Sequence, residues 1–175
     1  MKQGLLQVYT GDGKGKTTAA FGLAFRALGR GFKVGVVQFM KTRATGEVLL
    51  AQTIDNFYIN RIDTSPKFTW EMNEAELAAL RIIIRNGFAE VCKLVQDNAF
   101  DVLILDEFNH IIHQNFVSKE EVIALINSKP TTMEMVMTGR NAPDWLMEIA
   151  DLVTEMKCVK HPFEKGIEAR VGIEK

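Results

Sequence analysis

The chain has 175 residues, 47% of them apolar, and a formal net charge of −1 from 21 basic and 22 acidic residues. This length favours one domain with a sizeable buried core. The balanced charge, without a basic stripe, argues against binding to nucleic acid. No apolar run is long enough to span a membrane, and the first strand begins too early for a signal peptide. We therefore expect a cytoplasmic protein whose cysteines, Cys92 and Cys158, are buried free thiols.

Apolar strands alternate with helices along the chain. In chain order, the predicted elements are a strand at 5–9, a helix at 16–28, strands at 33–39 and 57–62, a helix at 73–97, a strand at 102–105, a helix at 119–126, a strand at 133–137, a helix at 143–149 and a strand at 152–156. Asn73 followed by Glu76, and Ser118, are typical helix N-terminal caps. Strands that are apolar throughout indicate a mostly parallel sheet covered on both faces. The prediction is an α/β, three-layer fold with ligands at the carboxyl ends of the strands.

Residues 10–18 read Thr-Gly-Asp-Gly-Lys-Gly-Lys-Thr-Thr and join the first strand to the first helix. Glycines in such a loop let backbone N–H groups point at one anion, and the helix N-terminus adds positive charge there. Lys16 is placed to reach phosphates and Thr17 to hold Mg²⁺. Thr10 occupies the position where the usual phosphate-loop pattern has glycine. The predicted ATP ligands in this loop are Gly11, Asp12, Gly13, Lys14, Gly15, Lys16, Thr17 and Thr18.

Two adjacent carboxylates, Asp106 and Glu107, follow the buried strand at 102–105. In phosphate-loop proteins a carboxylate at this place holds Mg²⁺ directly or through water. The alternative is an acidic pair favoured by the dipole of a following helix. With the phosphate loop present, the metal interpretation is preferred, and oxygen ligands suit Mg²⁺ or Mn²⁺.

Three further features are less specific. Arg140 follows the fifth strand and its guanidinium suits phosphate oxygens, although a solvated loop arginine is the alternative. Phe68 and Trp70 lie in a loop and are suited to covering a flat ligand, whereas composition alone favours packing against the next helix. His110 and His113 are three residues apart, which on a helix is a metal-ligand spacing, but no third ligand is near in sequence, which disfavours zinc.

Taken together, these residues resemble the ATP:corrinoid adenosyltransferases of the phosphate-loop, CobA type. The shared segments are TGDGKGKTTAAFG at 10–22, VGVVQF ending at 39, FTWE at 68–71, LDE at 105–107, TGR at 138–140 and VKHPFEKGIEARVGIEK at 159–175. A phosphate loop alone would be unspecific, whereas its combination with FTWE, TGR and the C-terminal pattern is highly specific. The loop of this family also has the unusual residue at position 10.

The resemblance implies a phosphate-loop NTPase-like (RecA-like) fold and one adenosyltransferase domain over residues 1–175. The implied reaction transfers the 5′-deoxyadenosyl group of ATP to the Co(I) centre of a corrinoid and releases tripolyphosphate, in adenosylcobalamin biosynthesis or corrinoid salvage. Lys16, Thr17 and Glu107 are then the catalytic residues. Thr17 and Glu107 match the family's metal ligands, with Asp106 as a further candidate, and Arg26 matches an arginine assigned to ATP. Catalysis would rest on positioning and on charge stabilisation, because no proton moves at the reacting carbon.

The resemblance also reverses the packing interpretation of Phe68 and Trp70. They match aromatic residues that face the corrin, displace its lower axial ligand and keep water from cobalt. A reduced, flavodoxin-like flavoprotein as electron donor and a homodimer are implied as well. Some family members carry an N-terminal extension that helps to cover the active site, and by comparison with them we expect this chain to cover its site in another way. Residues 41–46 also lack the aromatic-proline loop of some relatives.

Two alternatives stay open at the level of sequence. An ordinary phosphate-loop ATPase or kinase would cleave the γ-phosphate and yield phosphate or ADP. A non-catalytic carrier would bind the nucleotide or the corrinoid without turnover.

Overall fold

A computed structural model describes residues 2–41, 45–62, 67 and 69–173. The described residues form a six-stranded sheet in the order β3-β2-β4-β5-β1-β6, and every neighbouring pair of strands is parallel. The strands are β1 Leu6–Thr10, β2 Val34–Phe39, β3 Phe57–Ile62, β4 Val102–Asp106, β5 Glu134–Thr138 and β6 Leu152–Glu155. The α-helices of the same part of the chain are α1 Lys16–Leu28, α2 Gly46–Ala51, α3 Glu74–Gln96, α4 Phe108–His113, α5 Lys119–Ser128 and α6 Asp144–Ile149.

Helices cover both faces of the sheet and produce two apolar clusters. In β2, β4 and β5 every residue is buried. Alternate side chains of a strand point to opposite faces. Val34, Val36 and Ile104 accordingly pack with α1, whereas Val37 and Leu105 pack with α3, α4 and α5. The predicted α/β fold with a parallel sheet and three layers is confirmed.

Every predicted strand and helix is present, and the main differences are additions. The patterns do not indicate α2, which spans six residues and has no side-chain cap bond. The short helix α4 contains His110 and His113, in agreement with their helical spacing. The expectation for the cysteines is wrong in part, because Cys158 is exposed and Cys92 is half-buried. Within the described ranges, no helix is long and apolar enough to cross a bilayer.

Capping boxes begin the helices α3 and α5. Asn73 Oδ1 accepts the Glu76 N–H at 2.9 Å, and Glu76 Oε2 accepts the Asn73 N–H at 2.9 Å. Ser118 makes the equivalent pair of bonds with Glu121. These reciprocal bonds satisfy N–H groups that the helix itself leaves unpaired.

We expect Asn73→Ala and Ser118→Ala each to lower the free energy of unfolding by about 1 kcal/mol. Urea unfolding followed by circular dichroism measures the change. Asn86→Ala, an exposed position inside α3, is the matched control and should be neutral or slightly stabilising because alanine favours helix interiors. Equal losses for Asn73→Ala and Asn86→Ala would contradict the capping role.

Candidate phosphate-loop site

The carboxyl ends of the central strands bring a row of buried polar side chains together beneath the phosphate loop. On the α1 side of the sheet, β4 and β5 end in Asp106 and Thr138, and Gln38 is the second-last residue of β2; all three are fully buried. Gln38 and Asp106 are register partners across β2 and β4. Such polar residues at the ends of otherwise apolar strands place the site at the sheet edge where α/β proteins bind ligands.

The loop between β1 and α1 holds Lys16 in a buried position. Gly11 has φ +96°, and a Cβ there would lie 2.4 Å from the Met156 carbonyl oxygen, so only glycine fits. The Gly13 N–H donates to the same Met156 oxygen at 2.7 Å. Lys16 Nζ donates to the carbonyl oxygens of Gly11 at 2.6 Å and Gly13 at 2.7 Å, and only 8% of the residue is exposed. The loop therefore holds an ammonium group at its centre.

The pKa of Lys16 reflects this burial. Burial lowers the pKa of the Lys16 ammonium, and the neighbouring Arg140 lowers it further. The Glu107 carboxylate is the main opposing influence on this pKa. Arg140 itself is exposed at the end of β5, and its charge acts on Lys16, Glu107 and His110. The structure thus brings Lys16, Arg140 and Glu107 to one edge of the sheet, and their role toward a triphosphate stays a prediction.

Asp106 connects the loop to the sheet through both carboxylate oxygens. Its Oδ1 accepts the Thr17 hydroxyl at 2.9 Å and the Thr138 hydroxyl at 2.6 Å. Its Oδ2 accepts the Gln38 amide at 3.1 Å and pairs with Lys41 Nζ at 2.6 Å. No role was predicted for the side chains of Gln38, Thr138 and Lys41. For Gln38 and Thr138 a signal exists, because each is a polar residue at the carboxyl end of an apolar strand.

Glu107 follows Asp106 in a left-handed conformation with φ 59° and ψ 20°. Its N–H donates to the Thr138 hydroxyl at 3.1 Å. Burial raises the pKa of Glu107 and the Asp106 carboxylate raises it further, whereas Lys41 and other nearby cations oppose these effects. Two carboxylates on successive residues therefore face different surroundings, and it is Asp106 that contacts Thr17.

The donor set at this edge fits Mg²⁺. Thr17, Asp106 and Glu107 offer oxygen atoms, and the first two are already in contact. No group of three His, Cys, Asp or Glu that could hold a metal ion occurs among the residues the structure describes. Mg²⁺ needs no such group, because it commonly binds one or two carboxylates together with phosphate oxygens and water. His110 and His113 lie on α4, where burial lowers the pKa of His110.

The remaining predicted ligands are more dispersed. Asp12, Lys14 and Thr18 are exposed on the loop and first turn of α1, and Lys14 Nζ donates to the Ile173 carbonyl at 3.3 Å. Arg26 is exposed in the last turn of α1. It lies ten residues after Lys16, which is about 15 Å along the helix axis. The structure does not bring Arg26 to the loop, and its role in ATP binding stays a prediction.

Trp70 belongs to a short 3₁₀ turn, Thr69–Glu71, just before α3. Its exposed fraction is 75%, so it is not a core residue packed under α3. Phe68 lies outside the described residues. The roles predicted for Phe68 and Trp70 toward a corrin stay predictions.

The all-parallel sheet, the glycine-rich loop with its buried lysine and the carboxylate at the end of β4 define a phosphate-loop protein of the α/β class. The particular group follows from comparison with known proteins. The chain belongs to the ATP:corrinoid adenosyltransferase BtuR/CobO/CobP family, whose model matches residues 2–174.

Named relatives are similar over nearly the whole chain. The corrinoid adenosyltransferase of Escherichia coli strain K12 is 36% identical over 176 residues, which cover 99% of this chain and 86% of the relative. Corrinoid adenosyltransferase CobA of Salmonella typhimurium strain LT2 is 37% identical with the same coverage. The corrinoid adenosyltransferase of Pseudomonas aeruginosa is 36% identical over 99% of this chain and 84% of its own.

Among solved structures, domain III of the Thermotoga maritima replication initiation protein DnaA matches with a TM-score of 0.44 and 15% identity, covering 89% of this chain and 55% of that one. A similarity this low supports no inference about function.

Proposed function

We propose that this chain transfers the 5′-deoxyadenosyl group of ATP to the Co(I) centre of a corrinoid and releases tripolyphosphate, in adenosylcobalamin biosynthesis or corrinoid salvage. The observation that carries the proposal is the family match over residues 2–174. Two electrons of Co(I) form the cobalt–carbon bond at C5′ of ATP. The C5′–O bond breaks, and its electron pair leaves with the triphosphate.

The phosphate loop would bind the leaving group. The backbone N–H groups around Gly11–Gly15 and the Lys16 ammonium are placed to stabilise the negative charge that develops on the triphosphate. Arg140, exposed beside Lys16 and Glu107, adds positive charge at the same edge. No proton moves at C5′, so the protein acts by holding the reacting atoms in place.

Thr17, Asp106 and Glu107 would hold Mg²⁺ at this edge. The contact between the Thr17 hydroxyl and the Asp106 carboxylate supports this assignment, because it places two oxygen donors side by side. When bound, Mg²⁺ would neutralise charge on the phosphate oxygens. Mn²⁺ satisfies the same oxygen donors.

The corrinoid side of the site is proposed to include Phe68 and Trp70. Their aromatic rings would exclude water from cobalt and favour loss of the lower axial ligand, which makes Co(II) easier to reduce by a reduced flavoprotein. The exposure of Trp70 is compatible with a surface that receives a flat ligand.

A homodimer is proposed from the family and from an apolar surface at one sheet edge. Strand β6 lies at the end of the sheet, and each of its residues is exposed. The exposed apolar residues of β6 and the segment after it are Leu152, Val153, Val159, Phe163, Ile167, Val171 and Ile173. Exposed apolar side chains that gather at one sheet edge favour an interaction site there. The cytoplasmic location and the flavoprotein partner stay predictions.

The decisive experiment supplies ATP, Mg²⁺ and chemically reduced cobalamin or cobinamide under anaerobic conditions. Formation of a light-sensitive alkylcobalt spectrum together with tripolyphosphate supports the proposal. ATP hydrolysis to ADP and phosphate that is unaffected by corrinoid would indicate an ordinary ATPase. Binding of both substrates without any product would indicate a carrier.

Trp70→Ala is expected to reduce activity with Co(II) and a mild reductant more than activity with preformed Co(I), because the ring is needed before electron transfer. Both rates are measured with the same ATP and Mg²⁺ concentrations. Trp70→Phe keeps an aromatic ring and is the matched control, with a smaller loss in the Co(II) assay. Equal losses in the two assays would refute a role in removing the axial ligand.

A further inference from the structure

Lys41 contacts the same two side chains that are proposed to hold the divalent cation. Its Nζ lies 2.6 Å from Asp106 Oδ2 and 3.3 Å from Thr17 Oγ1. The Lys41 side chain is only 20% exposed, and Asp106 is fully buried. The ammonium group therefore sits where its charge compensates that of Asp106.

The backbone places Lys41 there. The strand β2 ends at Phe39, and Met40 then adopts φ +56°, in the left-handed region that residues other than glycine rarely occupy. Met40 packs against the larger apolar cluster. Such a strained conformation persists only where its surroundings hold it. Lys41 thus reaches the end of β4 from a turn that is fixed by packing.

A divalent cation and the Lys41 ammonium cannot bind these oxygens together. A cation coordinated by Thr17 and Asp106 would lie within a few ångströms of Nζ, where like charges repel strongly at a buried site. A buried carboxylate is costly without a positive partner. One cation must therefore replace the other when the site is loaded.

We propose that Lys41 is a built-in counter-ion of the cation site, and that its ammonium competes with the divalent cation for Asp106 and Thr17. This proposal rests on the metal site of the proposed function. It follows that a divalent cation alone binds weakly. The cation enters together with a polyphosphate. The polyphosphate supplies further oxygen ligands to the cation, and its negative oxygens pair with the displaced Lys41 ammonium. Lys41 would thus couple metal binding to nucleotide binding.

The test uses Lys41→Met, which keeps an unbranched side chain of nearly the same length and removes its charge. Titration of Mn²⁺ alone, followed by electron paramagnetic resonance, should show binding to the variant that is tighter than to the wild type by about ten-fold or more. In EDTA the variant should melt at a lower temperature than the wild type, and Mg²⁺ alone should restore part of the difference. The melting temperature of the wild type should respond to Mg²⁺ with ATP but not to Mg²⁺ alone.

Two further variants keep the result interpretable. Lys93→Met removes the same charge from an exposed position of α3 and should leave Mn²⁺ binding at the wild-type level. The double variant Lys41→Met/Asp106→Asn removes both charges, so in EDTA it should melt above Lys41→Met, without a response to Mg²⁺.

Equal affinity of the wild type and Lys41→Met for Mn²⁺ would overturn the proposal. A double variant that melts at or below Lys41→Met would also overturn it, because charge compensation would then not explain the loss. These measurements contain no corrinoid. Failure of the proposed adenosyl transfer would appear separately, in the anaerobic spectral assay.

Discussion

Replacement of Lys16 by alanine is expected to lower kcat/KM for adenosyl transfer by about 10²–10³-fold, the usual effect of removing one charge-stabilising donor from an active site. The side chain is buried in the loop, with its ammonium on the carbonyl oxygens of Gly11 and Gly13. A triphosphate in the loop would bring strong acceptors to that ammonium. Its loss leaves the developing charge of the leaving group without the cation that the loop itself supplies. Tripolyphosphate release with preformed Co(I), measured over a range of ATP concentrations, determines the change.

The control for Lys16→Ala is Lys16→Arg, which keeps the charge. The guanidinium is larger and planar, so it cannot take the place of an ammonium held between two loop carbonyls. We expect Lys16→Arg to stay well below the wild type, whereas Lys93→Ala on the surface of α3 should be fully active. Wild-type activity in Lys16→Ala would contradict binding of the triphosphate in this loop and would therefore refute the proposed mechanism.

The fold was predictable because the local signals agree with one another. Uninterrupted apolar runs such as 102–105 have no polar face, and only a sheet covered on both sides buries such strands. The capping boxes at Asn73 and Ser118 begin their helices as predicted. The helix α2 has no side-chain cap, and its six residues are too few to show a helical period.

The connections of Asp106 were not predictable from the sequence. Gln38 lies 68 residues from Asp106 in the chain and meets it only because β2 and β4 pair in a particular register. Lys41 reaches the same carboxylate because Met40 takes a left-handed turn, and methionine gives no indication of one. Position along the sequence identified the carboxylate, whereas the pairing of strands determined its partners.

For Arg26 the situation is the opposite, because a sequence match predicts a contact with ATP that the position of the residue on α1 does not explain. Its match to a family arginine is a sequence signal, yet helical geometry places it about 15 Å along α1 from Lys16. One helix cannot bring both ends to the same phosphate. A contact between Arg26 and ATP would therefore require the ligand to extend along α1 or a second copy of the chain to present its own α1.

Replacement of Asp106 by alanine is expected to lower the free energy of unfolding by about 3 kcal/mol, because it removes one member of a buried ion pair and leaves buried donors without an acceptor. Loss of the acceptor is most costly for the Gln38 amide. It is fully buried, and its Oε1 already lacks a hydrogen-bond partner among the described residues. Lys41 is partly exposed and can turn toward water, which limits the total loss. Urea unfolding in EDTA measures this change without any contribution from metal.

A matched control lies at the opposite end of the same strand. Asp101 precedes β4, and its carboxylate accepts the Lys33 N–H at 2.8 Å in an exposed setting. Asp101→Ala should therefore cost no more than about 1 kcal/mol. Asp106→Asn keeps the shape of the side chain but offers one acceptor where the carboxylate offers two, so its loss should lie between the other two variants. The Asp106 variants should also need more Mg²⁺ for adenosyl transfer, whereas Asp101→Ala should not. If Asp106→Ala and Asp101→Ala unfold at the same urea concentration and show the same Mg²⁺ dependence, Asp106 neither connects the sheet to the loop nor serves the metal.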